Sequence, residues 1–239
     1  MPHPTPSTSL LPWHGFSTRA SSILHPLSSI LVLLSLAASP STRPIPLATT
    51  RLAGNDSPQR TLTLHAIAMS AGDPAAVMNF YSADTPDQHT VVAAYGHMAS
   101  SIASLRKAST DKFGPDGFDN IGFAKQFADQ IKSLETVRVV VVDDKALVYI
   151  DPDNRPDLLL VRAGNSWKIS GSSFRNPLHQ AARLEAQANA FDELASEIAA
   201  GKYRLATDAR IAGRAKVSSA MKAVQEKFTT TRPTTAPSA

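Results

Sequence analysis

The chain has no cysteine. That absence excludes a disulfide framework, a thiolate metal site, a thiol nucleophile and lipid attachment through an N-terminal cysteine, so any folded form must stand on packing alone. Glycine-rich phosphate loops are missing as well: Gly72, Gly96, Gly114, Gly117, Gly122, Gly164 and Gly171 fall at helix ends, inside helices or in hairpin turns. No pair of histidines, or of glutamate and histidine, stands four apart on one helical face. His89 and His97 are about 12 Å of helical rise apart, too far to share an ion. No Gly-x-Ser-x-Gly elbow occurs, and Gly171-Ser172-Ser173 follows a strand with no visible partner base. The carboxylate groups Asp143/Asp144 and Asp151/Asp153/Asp157 read as turn residues, because aspartate bonds its own backbone there and Pro152 and Pro156 mark the second stretch as a loop. No metal and no cofactor is expected.

Charge is equally sparing. The net +4 divides into about +3 over residues 1–60, −2 over 61–176 and +3 over 177–239, and the C-terminal basic residues alternate with Glu185, Glu193, Glu197 and Glu226. A nucleic-acid surface needs basic side chains gathered on one face, so that partner class is excluded. The longest apolar run, Leu27 to Ala38, is shorter than the roughly 20 residues that cross a bilayer as a helix. With Arg19 ahead of it and Ser35-Leu36-Ala37 at its end, residues 1–38 read as an export signal or a short uncleaved anchor, the only membrane contact foreseen. Residues 39–60 read as a flexible linker. The expected location is therefore periplasmic or extracellular.

What is present is one β-rich stretch among helices. Val137 to Phe174 is dominated by β-branched and aromatic residues, with breaks at Asp143-Asp144, Pro152 to Pro156 and Gly164-Asn165, which predicts a four-stranded antiparallel meander. A turn at Asp143-Asp144 sets Val141 opposite Ala146, Val139 opposite Val148 and Val137 opposite Ile150. At Gly164-Asn165 a two-residue turn places Arg162 across from Trp167, and a three-residue loop places Ala163 there instead. Both registers stay open.

Helices are predicted over Leu62–Ala71, Pro74 to about Ala83, and from the Thr85-Pro86-Asp87-Gln88 capping box to Phe113. The third carries a stripe of Val91, Tyr95, Met98, Ile102 and Leu105, and His89 and His97 sit off it as solvent-facing residues. Ile121–Leu134 gives a fourth helix. Asn176-Pro177 opens a fifth, and Thr207 caps a last one to about Phe228, so that the α+β domain of residues 61–175 is followed by a helical hairpin over 176–228 and a disordered tail over 229–239.

Two pieces resemble a known family. Ala71-Gly72-Asp73-Pro74-Ala75-Ala76-Val77 is similar to the first-helix corner, and Leu159 to Ile169 with Val161-Arg162-Ala163-Gly164-Asn165-Ser166-Trp167-Lys168 to the closing hairpin, of exported members of the nuclear transport factor 2-like superfamily. The resemblance implies a cone whose sheet wraps helices around a pocket, here lined by Tyr95, Tyr149 and Trp167. Members include isomerases, dehydratases and non-catalytic binding or dimerising modules. The strand that members place between helices is not evident, and no carboxylate stands inside a strand, so no mechanism is carried over. The leading expectation is an exported non-enzymatic module that binds a small ligand or a protein, with a homodimer left open. The rivals are a pocket enzyme using Tyr149 with His65 or His97, and an envelope assembly component acting through the C-terminal hairpin.

Overall fold

The computed structural model describes residues 56–150 and 155–230. The expected export segment, residues 39–55 of the linker, Asp151, Asp153 and the tail from residue 231 lie outside the described residues.

Four helices begin the same way. A short polar side chain caps the first turn and proline occupies the first position, where its missing N–H costs nothing. Ser57 accepts from Arg60 N at the head of α1 (Pro58–Ala71), and Asp73 accepts from Ala76 N at the head of α2 (Pro74–Asn79). Thr85 accepts from Gln88 N to open α3 (Pro86–Phe113), and Asn176 accepts from His179 N to open α6 (Pro177–Ala199). Helix α1 thus starts earlier than Leu62, taking in Pro58 to Arg60 from the expected linker. The expected helix over Ile121–Leu134 starts only after Gly122, which has φ +89°, as α5 (Phe123–Leu134), and a short α4 (Gly117–Asn120) precedes it. The last helix, α7 (Ala206–Thr230), already contains Thr207, so that residue is not its cap.

The fold is α+β, and its sheet has five strands rather than four. β2 (Arg138–Val142), β3 (Lys145–Tyr149), β4 (Leu158–Ala163) and β5 (Ser166–Ser170) pair antiparallel in sequence order. A two-residue strand, β1 (Tyr81–Ser82), lies parallel to β5, so the sheet is mixed with order β1-β5-β4-β3-β2. The helix predicted through Ala83 ends at Asn79 instead. Tertiary pairing overrides local propensity here: Ile169 N donates to Phe80 O at 2.7 Å and draws Tyr81 onto the sheet. Val141 stands opposite Ala146 and Val139 opposite Val148, as their spacing predicts, and Arg162 stands opposite Trp167, which selects the two-residue turn at Gly164-Asn165.

One face of the sheet is inward, carrying Ala146, Val148, Leu158, Leu160, Trp167 and Ile169, all buried. They join a single hydrophobic cluster with Leu62, Val91, Ile102, Phe191, Ile198 and Val217 from the helices. Helix α1 packs against β5, α3 and α5, and α6 packs along α3. Helices α6 and α7 run antiparallel, since Leu194 meets the Gly213 position, Glu193 meets Lys216 and His179 meets Phe228. The expected hairpin is therefore present as an antiparallel pair, but α6 is joined to α3 more extensively than to α7, and the pair shares the core.

Candidate functional site

The chemistry-bearing side chains of the interior meet where α1, β1, α3 and α6 converge. The corner at Gly72 brings α1 back beside α3, because this glycine has φ +75° and a Cβ on it would lie 2.7 Å from Ala103 Cβ. His65 of α1 then faces Tyr81 of β1, and the Tyr81 hydroxyl and His65 Nε2 share a hydrogen bond of 2.8 Å. The Tyr81 ring stacks on Tyr95 of α3, with centroids 5.1 Å apart and planes at 19°. Gln180 of α6 donates from Nε2 to the Tyr95 hydroxyl at 3.1 Å. Phe80 meets the His65 ring edge-on at 5.9 Å, and Phe174 lies 5.9 Å from Tyr81.

This packing sets the titration of the group. His65 is only partly accessible and its ring is desolvated by burial among its aromatic neighbours, which lowers its pKa to about 4 and keeps it neutral. Burial raises the Tyr95 phenol to about 12, opposed by the Gln180 hydrogen bond. Tyr81 is pushed well above its ordinary value by burial and then by the Tyr95 hydroxyl beside it. The His65 ring and the two phenols are thus neutral, and His65 Nε2 and both hydroxyls are paired within the cluster.

A second polar group bridges α3 and α6 at the surface. His97 Nδ1 lies 2.6 Å from Glu185 Oε2 and its Nε2 lies 3.0 Å from Asp192 Oδ2, so both ring nitrogens donate and the imidazolium is favoured. The hydrogen bond to Glu185 raises its pKa, against a smaller opposing effect of burial and with Asp192 assisting. His97 is therefore an interhelical clamp rather than the solvent-facing residue its position off the stripe implied. Where α6 turns into α7, Glu197 takes hydrogen bonds from Lys202 and Tyr203 and an ion pair from Lys216 at 3.2 Å, which hold its carboxyl at about 2.

The three residues expected to line one pocket are not brought together. Tyr95 is in the buried cluster. Trp167 lies on the inward sheet face, with the Arg162 guanidinium 4.7 Å over its ring. Tyr149 points the other way: its strand neighbours Ala146 and Val148 are inward and buried, so alternation places Tyr149 outside, under Arg138 at 4.6 Å. The strand pattern alone misses His65 and Tyr81 as partners, because the pairing depends on β1.

The outward face that Tyr149 shares carries Val140, Leu147, Leu159 and Val161, each half-buried, with Arg138, Lys145 and Lys168 among them. Its strand positions hold no carboxylate. Among the described residues no group of three or more His, Asp or Glu side chains is gathered to hold a metal, and no helix is long and apolar enough to cross a membrane. These features define an α+β domain with a closed aromatic interior and a mixed sheet whose outer face is apolar and basic. Comparison of the chain with family models, curated proteins and solved structures found no match.

Proposed function

We propose that the chain is a non-enzymatic binding module that works outside the cytoplasm and takes an acidic protein surface onto the outward face of its sheet. The observation that carries this is the composition of that face: a valine, leucine and tyrosine centre flanked by Arg138, Lys145 and Lys168, with the opposite face already filled by helices. A partner with an apolar centre and acidic rim matches it in character and in sign. The neutral, mutually bonded His65-Tyr81-Tyr95-Gln180 cluster supports a binding role over an enzyme, since its hydrogen-bonding groups are engaged with one another. The short strand Tyr81–Ser82 between helices supports the likeness to the nuclear transport factor 2-like cone.

A photo-crosslinking residue in place of Tyr149 tests the reading in the native host. It is expected to give one discrete adduct in the exported fraction, on a chain whose N-terminus begins near residue 38. Lys145→Glu should abolish the adduct while leaving the melting temperature unchanged. Absence of an adduct, an adduct indifferent to that charge, or an intact Met1 on cytosolic protein would overturn the proposal.

A further inference from the structure

The free side of β2 carries information that the outward face does not. In a hairpin closed by a two-residue turn, the residues flanking the turn form a hydrogen-bonded pair and the ladder then alternates. Val142 and Lys145 flank the turn, so Val142, Val140 and Arg138 direct their N–H and C=O groups toward β3. Val139 and Val141 direct theirs away, and no strand among the described residues lies on that side. Natural edges are blunted by proline, bulges or charges that point inward. β2 has none of these over Val139 to Val142, and Val141 and Val142 are 50% and 56% exposed.

We propose that this edge pairs antiparallel with the same edge of a second copy, about a two-fold axis at Val140, to give one continuous ten-stranded sheet. Three observations select this register. Only registers that set outward-directed residues opposite each other can form hydrogen bonds, and pairing Val139 with Val141 of the second copy does so twice about the axis. Sliding the pairing one way sets Arg138 diagonal to its own counterpart, which places like charges side by side. Sliding it the other way requires Asp143 to pair in extended form, whereas it sits in the turn with φ +53°. In the chosen register Arg138 stands opposite Val142, beside the acidic Asp143-Asp144 turn of the second copy, an opposite-sign neighbour made twice. The exposed Val141 and Val142 are covered at the same time. This inference is independent of the acidic partner, which occupies the face and not the edge.

The absence of cysteine makes the test clean. Val140→Cys places one thiol on each side of the axis, with Cα atoms about 4.5 Å apart, within disulfide reach. Val142→Cys places them about 13 Å apart, out of reach. Under mild oxidation Val140→Cys is expected to convert largely to a covalent dimer and Val142→Cys to remain a monomer. Sedimentation of the unmodified full chain should give twice the chain mass. Val141→Pro, which removes an outward donor and leaves the β2–β3 ladder intact, should shift that mass at least tenfold toward monomer in dissociation constant with unchanged circular dichroism. A monomer for the unmodified chain at every concentration overturns the proposal, including one with exchange-protected Val139 and Val141 amides, which would place another segment of the same chain on the edge. A dimer that survives Val141→Pro, or that crosslinks equally at position 142, also overturns it.

Discussion

His65 and His97 titrate in opposite senses for reasons visible in their neighbours. His65 is desolvated and its folded pKa falls to about 4, so the unfolded chain binds the extra proton between roughly pH 4 and the ordinary value of 6.5. Its contribution is therefore present above pH 6.5 and lost as pH falls toward 4, up to about 3 kcal/mol from this group alone. His97 is raised by Glu185 and Asp192, so its contribution is complete below pH 6.5 and lost as pH rises through the folded value. Proton-resolved titration of the two rings is expected to give one midpoint near 4 and one above 6.5, and two midpoints near 6.5 would contradict both environments. Tyr95 was legible as a core residue because its stripe recurs at helical spacing. His65 was not legible as its neighbour, since fifteen residues and a helix corner lie between His65 and Tyr81, and Tyr81 belongs to an unanticipated strand.

The helices announce themselves through caps, and the capping signals survive in the structure at Asp73, Thr85 and Asn176. Ser57-Pro58 carries the same signal but reads as linker in the sequence, because no apolar period begins there. β1 had no such announcement: two residues inside a helix-like window become strand only when β5 arrives beside them. The corner that delivers them is strict. Gly72→Ala asks a side chain to adopt φ +75° and to occupy space 2.7 Å from Ala103 Cβ, with the Ala103 backbone close behind. It is expected to cost about 1 to 3 kcal/mol by urea unfolding. A change below about 0.5 kcal/mol, the usual size for a surface substitution, would show that the corner is not close-packed. Sheet parity decided the fate of the expected pocket, because Tyr149 and Trp167 belong to opposite faces once Val142 pairs with Lys145 and Arg162 with Trp167. Both turns were visible in the sequence, but one of the two registers was not fixed by it.

Taken as a whole, the chain shows why local pattern reading divides what packing unites. The predicted boundary near residue 175 follows a real change from strand to helix, yet α6 lies along α3, tied by Gln180 to Tyr95 and by Glu185 and Asp192 to His97. A chain ended after Arg175 is therefore expected to lose cooperative thermal unfolding and to bind a hydrophobic dye, whereas retention of a sharp transition would make residues 61–175 an independent unit. The two borders of the sheet differ in a way that limits assembly. β1 is only two residues long and leaves little ladder for a newcomer, while β2 offers five. Among the described residues the sheet has this single usable seam, and one union would close it, so however sticky its valines are, growth into fibres would have nowhere to continue along it.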